Sequence, residues 1–216
     1  MIDWDYALRC LPELMRGLAI TVYATLLGTV FALIVGLVWT LLGQLRAWPI
    51  RMFSRGVVEL LRSTPLLVQL YFAFYVLPSV GIALSPLATG VVGLGLHYSA
   101  YLAEVYRAGI AAVPRGQWEA AAVLGLSRAR TYTSVILPQA IPPMLPMIGN
   151  YCIAMFKDTP MLSAITVLEL LARAKLLGAS EFRYLEPLTL VGLLFLAVSL
   201  PTSRFTRLLE RKYVSP

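Results

Sequence analysis

The residues of this chain that could do chemistry are the polar ones embedded in otherwise apolar runs. His97, Tyr101, Glu104 and Ala108 follow one another at steps of four, three and four, so they share one face of a helix. Gln69 shares a helical face with Arg62, Phe72 and Val76, with Tyr71, Phe74 and Tyr75 around it, and Asn150, Ala154 and Lys157 form a third stripe. In a membrane-spanning segment such groups suit contact with a polar or zwitterionic solute, because ionisable residues there are costly and mark pathways. A local arrangement competes with that reading. Glu104 can pair with Arg107 one turn on, His97 and Tyr101 can bond to neighbouring helices, and Lys157 can snorkel to an interface beside Asp158.

Catalytic machinery is not expected. A membrane enzyme needs a clustered nucleophile and base, or metal ligands, and this chain has one His and only two Cys, Cys10 and Cys152. A phosphate-binding Walker loop needs Gly-Lys followed by Ser or Thr. The three lysines follow Phe156, Ala174 and Arg211, so the chain cannot hydrolyse ATP by itself. The sequence therefore predicts no catalytic residue, no metal and no cofactor held by this chain.

The elements that position these residues are membrane helices. Of 216 residues 59% are hydrophobic and 13% charged, and the mean hydropathy is +0.77. Soluble domains carry about 45–50% apolar and about 25% charged residues. Collagen-like, disordered and disulfide-scaffold classes fail on the same numbers, and the two cysteines read as buried hydrophobes. A spanning helix needs about 20 apolar residues. Between Arg16 and Arg46 and from 63 to 103 no residue is charged, and such runs predict spans near 17–43, 57–77, 87–112, 135–156 and 187–203, with the turn between the second and third at Pro78–Pro86. Pro138, Pro142, Pro143 and Pro146 are expected to break the start of the fourth span, which places that segment beside a pathway or makes it a kinked entry helix. The run 159–168 is too short to cross and reads as a helical hairpin or surface helix. No internal repeat is visible. The whole chain, 1–216, reads as a single transmembrane domain.

The net charge of +7 is mostly a topology signal. Twelve cations (Arg46, Arg51, Arg55, Arg62, Arg107, Arg115, Arg128, Arg130, Arg204, Arg207, Arg211 and Lys212) fall on one side, against Arg9, Arg16, Arg173, Lys175 and Arg183 on the other. That bias predicts an N-terminus outside and a cytoplasmic C-terminus. Asp3 and Asp5 precede any Arg, unlike the basic start of a cleaved signal peptide. A direct Glu104–Lys157 pair is not expected, because the two stand about 12 Å and about 33 Å from the cytoplasmic ends of their spans.

The longest cytoplasmic loop, 113–134, reads Pro114-Arg115-Gly116-Gln117-Trp118-Glu119-Ala120-Ala121-Ala122-Val123-Leu124-Gly125-Leu126-Ser127. Helix formers run from Gln117 to Leu124, Gly125 suits a left-handed C-cap, and Ser127 can cap a second helix from Arg128. A surface helix held by its arginines has the same composition, but the alanine run gives a small face that lets a partner backbone approach.

The set Glu119-Ala120-Ala121, Gly125, Val135 and Leu137-Pro138 resembles the EAA loop of ABC-importer permeases, with Val135 where that family usually has Ile. Arg62-Ser63-Thr64-Pro65-Leu66-Leu67-Val68-Gln69-Leu70, Glu104-Val105-Tyr106-Arg107-Ala108-Gly109, Pro138-Gln139-Ala140 and Lys157-Asp158-Thr159 resemble its polar amino-acid branch, with Pro160 where that branch usually has Ser. Gly95-Leu96-His97-Tyr98 and Arg183-Tyr184-Leu185-Glu186-Pro187 look closest to ectoine and hydroxyectoine permeases. The resemblance implies an all-α integral membrane protein of the bacterial plasma (inner) membrane. It would have five transmembrane helices and a cytoplasmic coupling (EAA) helix, as in type I ABC importers. It further implies coupling through Glu119, Ala120, Ala121 and Gly125, and a pathway that would include Gln69, His97, Tyr101, Glu104, Asn150 and Lys157. The implied partners are two ATP-binding subunits that carry the ATP, a second permease chain (identical or paralogous), an external solute-binding protein and the lipid bilayer, with no nucleic acid. A secondary transporter or channel acting without ATP is the alternative.

Overall fold

The computed structural model describes residues 3–213. The described chain is helical: α1 (Trp4–Gln44), α2 (Trp48–Ser63), α3 (Leu66–Tyr71), α4 (Pro86–Ala111), α5 (Arg115–Val123), α6 (Arg128–Thr131), α7 (Leu137–Asp158), α8 (Leu170–Glu181) and α9 (Leu185–Tyr213). Helices α1 and α9 are long and apolar enough to cross a membrane, and α2 with the segment Leu66–Val80 qualifies if the bent pair is one span. The carboxylate of Asp3 starts α1 by accepting from the amides of Asp5 and Tyr6. At 1.5 Å per residue α1 is about 60 Å long, twice the hydrocarbon thickness.

Helix α1 is the central post, and its broadest packing is against α4. A small residue returns to its buried side about every turn: Gly17, Thr21, Thr25, Gly28, Ala32, Gly36 and Thr40. Between apolar helices in lipid, close backbone approach supplies van der Waals contact that larger side chains would block. A Cβ on Gly36 would lie 2.9 Å from the Ser99 carbonyl oxygen on α4, and one on Gly17 would lie 2.8 Å from Leu170 Cα. Leu66, Leu70, Leu94, Tyr98, Leu102, Met155 and Leu162 fill the core where α1, α3, α4 and α7 meet.

The expected second span, 57–77, is not one straight helix. It bends by 108° between α2 and the segment that follows. Thr64 is extended at φ −112°, ψ 141°, and Pro65 follows at φ −63°, ψ 136°. The proline ring disfavours a helical residue before it, which ends α2 here. The side-chain amide of Gln69 braces the corner, donating to the carbonyls of Leu61 (2.8 Å) and Thr64 (3.2 Å) and to the Thr64 hydroxyl (2.7 Å).

The prolines expected to break the fourth span do not interrupt it. Helix α7 runs through Pro142, Pro143 and Pro146. Pro138 is the second residue of α7, which continues from the helical turn before it. A π-turn at Tyr132–Ile136 lies directly upstream, and a second π-turn, Phe72–Val76, lies just before Pro78. Each widened turn contains the carbonyl four residues before its proline, which gives the ring room. The segment 159–165 is a 3-10 turn leading into α8.

At one end of the bundle, the Asp3 end, a charged latch joins the chain's start to the α8–α9 link. Arg183 bridges Asp3 (3.2 Å) and buried Glu186 (2.6 Å), and its guanidinium stacks 4.6 Å from the Tyr6 ring centroid. The opposite end, the Arg115 end, carries α5 and the last turns of α9.

Candidate functional site

A polar and aromatic constellation lies between α4, α7 and the α2–α3 corner. Buried His97 has its Nδ1 3.3 Å from Gln69 Oε1. The network fixes the roles. Thr64 gives its own hydroxyl proton to the Leu60 carbonyl, so it accepts from the Gln69 amide nitrogen. Gln69 Oε1 is then an acceptor, His97 Nδ1 carries the proton, and His97 Nε2 keeps a lone pair. On the next residue, the Tyr98 hydroxyl donates to Asp158 Oδ2 at 2.6 Å, tying α4 to the end of α7. The rings of His97, Tyr98 and Tyr101 stand 5.3–6.1 Å from one another, the Tyr151 ring lies 6.2 Å from Tyr98 and 5.5 Å from Tyr101, and Tyr101 and Tyr151 are half-buried. A carboxylate, an imidazole lone pair and electron-rich ring faces together favour a positively charged group.

Glu104 stands apart from that constellation. It pairs closely with Arg107 and lies 4.0 Å from Arg62, beside a cavity of about 340 Å³ shared with Gln44, Ser54, Arg55 and Glu59. The four-residue face of α4 is thus divided. His97 and Tyr101 look to the aromatic cluster, and Glu104 looks to arginines nearer the Arg115 end. Arg62 links the halves, its guanidinium 5.8 Å from the Tyr101 ring centroid.

The third stripe does not join either group. Asn150 is exposed, and Lys157 faces α9 across a groove shared with Pro160, Phe195 and Ser199. No ion pair joins Lys157 to Glu104 among the described residues.

At the Arg115 end, α5 packs against the Tyr132–Ile136 turn through Trp118, whose ring meets Tyr132 edge-on at 5.4 Å. Gly125 turns the chain at φ +65°, and the Ser127 hydroxyl caps α6. Glu119 and Ala120 are exposed, while Ala121 is turned inward against the bundle. Val123 is 87% and Leu124 75% exposed. That apolar pair is uncovered in the isolated chain and went unnoticed in the sequence, where it reads as ordinary helix interior.

Sequence reasoning also passed over Asp158, Tyr98 and Tyr151 as site residues. A signal for Asp158 existed, because it is an ionisable group at the end of an apolar run. Adjacency to Lys157 suggested a local pair, but the two side chains leave α7 in different directions.

The described chain is a helical bundle whose longest helices are long and apolar enough to cross a membrane, with polar side chains packed between them. Residues 28–215 match the family described as the inner membrane component of binding-protein-dependent transport systems, and the chain belongs to that family. It is 44% identical, over 95% of its length and 89% of the relative's, to a probable amino-acid ABC transporter permease, y4tG, of Sinorhizobium fredii. It is 34% identical to the L-cystine transport system permease TcyB of Bacillus subtilis (97% and 92% covered). It is 32% identical to the glutamine transport system permease GlnP of Escherichia coli (97% of both). A crystal structure of an amino acid ABC transporter with histidines superposes with a TM-score of 0.92 at 33% identity, covering 98% of this chain and 99% of that one. The inward-facing methionine transporter MetNI shares the fold at a TM-score of 0.72 and 21% identity, with 91% and 96% covered.

Proposed function

We propose that this chain is one transmembrane half of an ATP-driven importer for a zwitterionic amino-acid-type solute. The relatives named for amino-acid, cystine and glutamine transport support the solute class, and the observation that carries it is the Tyr98–Asp158 constellation at the centre of the bundle. Asp158, His97 Nε2 and the aromatic faces suit the cationic end of the solute. Arg62, shared between Glu104 and the Tyr101 ring, suits its carboxylate. Within the class we propose ectoine or hydroxyectoine. Its delocalised cationic ring fits a cluster of four aromatic rings better than a compact ammonium does, and the run Gly95–Tyr98 carries that resemblance. The Arg183–Pro187 run forms the terminal latch, remote from the solute, and adds little to the choice.

In this reading residues 1–216 form one domain with five spans, the Asp3 end is outside and the Arg115 end cytoplasmic, as the Lys/Arg bias favours. Exposed Glu119, Ala120, Val123 and Leu124 seat α5 on an ATP-binding subunit. A second permease chain closes the half-exposed face, including the apolar groove of about 520 Å³ inside the 108° corner. An external binding protein delivers solute to the Asp3 end.

The test is ATP hydrolysis by the complete assembly in nanodiscs with liganded binding protein, comparing ectoine, glutamine and cystine. Stimulation that is lost in Glu119→Arg supports the importer reading, and the stimulating solute names the substrate. Stimulation by glutamine or cystine alone overturns ectoine while keeping the class. Solute flux without ATP favours the secondary-transporter alternative.

A further inference from the structure

We propose that the groove between α7 and α9 binds an anionic phospholipid from the leaflet at the Asp3 end, with Lys157 holding the phosphate and Ser199 the glycerol ester. The groove has a volume of about 310 Å³, and its lining is Lys157, Pro160, Gly192, Phe195, Leu196 and Ser199. It has one cation near its mouth, apolar walls and one hydroxyl further in.

Two independent observations ask for a ligand there. The first is Lys157. Its ring neighbours Phe156 and Phe195 meet at 5.0 Å, which sets it level with a residue nine places past Glu186, or about 13 Å below that end of α9. None of the ion pairs among the described residues includes it. A cation at that depth needs a counter-charge or a route to the headgroups. The second is Ser199. Its hydroxyl is buried, with the residue only 8% exposed, and has no hydrogen-bond partner. Thr189, Thr202 and Thr206 on the same helix each donate to the carbonyl four residues back, and Ser199 does not. A buried hydroxyl left unpaired is costly, and an acceptor arriving in the groove would satisfy it.

The occupant follows from charge. A second copy of this chain has no acidic group to offer at this depth. Asp158 is held by Tyr98, Glu169 caps α8, Glu13 pairs with Arg16 and Arg173, and Asp3 and Glu186 share Arg183. Asp5 and Glu181 are exposed at the Asp3 end. Phosphate and ester oxygens at two depths match an ammonium and a hydroxyl about one turn apart along α9, and the acyl chain runs along Phe195 and Leu196.

Native mass spectrometry of the full chain in detergent, titrated with phosphatidylglycerol or with phosphatidylcholine of the same acyl chains, tests this. Phosphatidylglycerol should be retained over phosphatidylcholine. Lys157→Gln should weaken its retention about fivefold, the effect of one cation beside an anionic lipid. Lys157→Arg should preserve it, Ser199→Ala should weaken both lipids, and Lys175→Gln, away from the groove, should change nothing. Equal retention by Lys157→Gln and wild type would overturn the proposal. So would an equal loss in Lys175→Gln, or a Lys157→Gln chain that keeps its lipid but no longer self-associates. None of these readouts depends on transport, so the importer reading stands or falls separately.

Discussion

The hydroxyl of Tyr98 lies 2.6 Å from Oδ2 of Asp158, joining the middle of α4 to the last turn of α7. Tyr98 is 5% exposed, so its hydroxyl has little access to water. Tyr98→Phe leaves the carboxylate with one partner fewer and should cost about 1–3 kcal/mol of thermal stability in detergent. Asp158→Asn keeps an acceptor for Tyr98 and removes the charge. It should therefore retain most of the stability while abolishing solute-stimulated ATP hydrolysis by the assembled complex. Normal stimulation in Asp158→Asn would confine this pair to a structural role.

His97 separates its two nitrogens by role, and two amide variants can separate them experimentally. Asn places its amide nitrogen near Nδ1, so His97→Asn keeps the donor to Gln69. It loses the acceptor at Nε2. The chain should fold and insert normally, and solute affinity should fall about tenfold or more, the weight of a hydrogen bond to a charged group. His97→Leu loses both and should also destabilise the α2–α3 corner. Matching solute affinities for His97→Asn and wild type would show that Nε2 faces no solute.

The latch at the chain's start carries a pH dependence of known sign. The Tyr6 amide and the Arg183 guanidinium hold the Asp3 carboxyl below its ordinary value of 3.8. A depressed carboxylate contributes stability that is fully present above the unfolded value and is lost as pH falls through the folded one. Thermal midpoints should be level above about pH 5 and drop toward about pH 3. Asp3→Asn still caps α1 but loses the charge pair, so its profile should be flatter in that window. An identical acid profile in the variant would remove Asp3 from the latch.

Along α1 the spacing of small residues predicts which glycines tolerate a methyl group. At Gly36 the added Cβ meets a backbone oxygen 2.9 Å away, and backbone cannot step aside as a side chain can. Gly36→Ala should destabilise the chain by about 1–3 kcal/mol. At Gly43 nothing lies within 4 Å, so Gly43→Ala should be neutral or stabilising by about 0.5–1 kcal/mol, the helix preference of Ala over Gly. Equal melting of the two variants would refute the close approach of α1 and α4.

Local signals in the sequence carried through wherever one residue determines the outcome. Gly125 and Ser127 turn and cap the chain as their types demand, and helix α4 begins and ends within a residue of the span read for it, 87–112. The bend at Thr64–Pro65 was also written locally, at the point where Arg62 ends the charged stretch, but a span read from 57 to 77 runs straight across it. The proline-rich stretch misled in the opposite direction, because the π-turn that accommodates Pro138 has no sequence signature of its own. The centre was the least legible part. Tyr98 and Asp158 are 60 residues apart, and only the packing of α4 on α7 brings them together. Stripes at helical spacing gave the face of His97 and Tyr101 but could not tell where that face divides at Glu104.

The tip of α5 carries an uncovered apolar pair, and in the importer reading it is the contact with an ATP-binding subunit. Val123 and Leu124 are 87% and 75% exposed and stand next to the Gly125 turn. Water is a poor neighbour for such a pair, and a partner's apolar cleft would recover the burial. Gly125 sets their direction through its φ of +65°, which costs a β-branched residue about 1–2 kcal/mol or forces the turn to open. Gly125→Val should therefore leave membrane insertion intact and misdirect the tip, so that the ATP-binding subunit co-purifies poorly and uptake is lost. Leu124→Ser keeps the turn and removes apolar contact, and should weaken co-purification to a lesser degree. If Gly125→Val recruits the ATPase normally but still fails in uptake, the tip passes on motion rather than supplying affinity. If both variants transport normally, the contact with the ATP-binding subunit lies elsewhere on the Arg115 end.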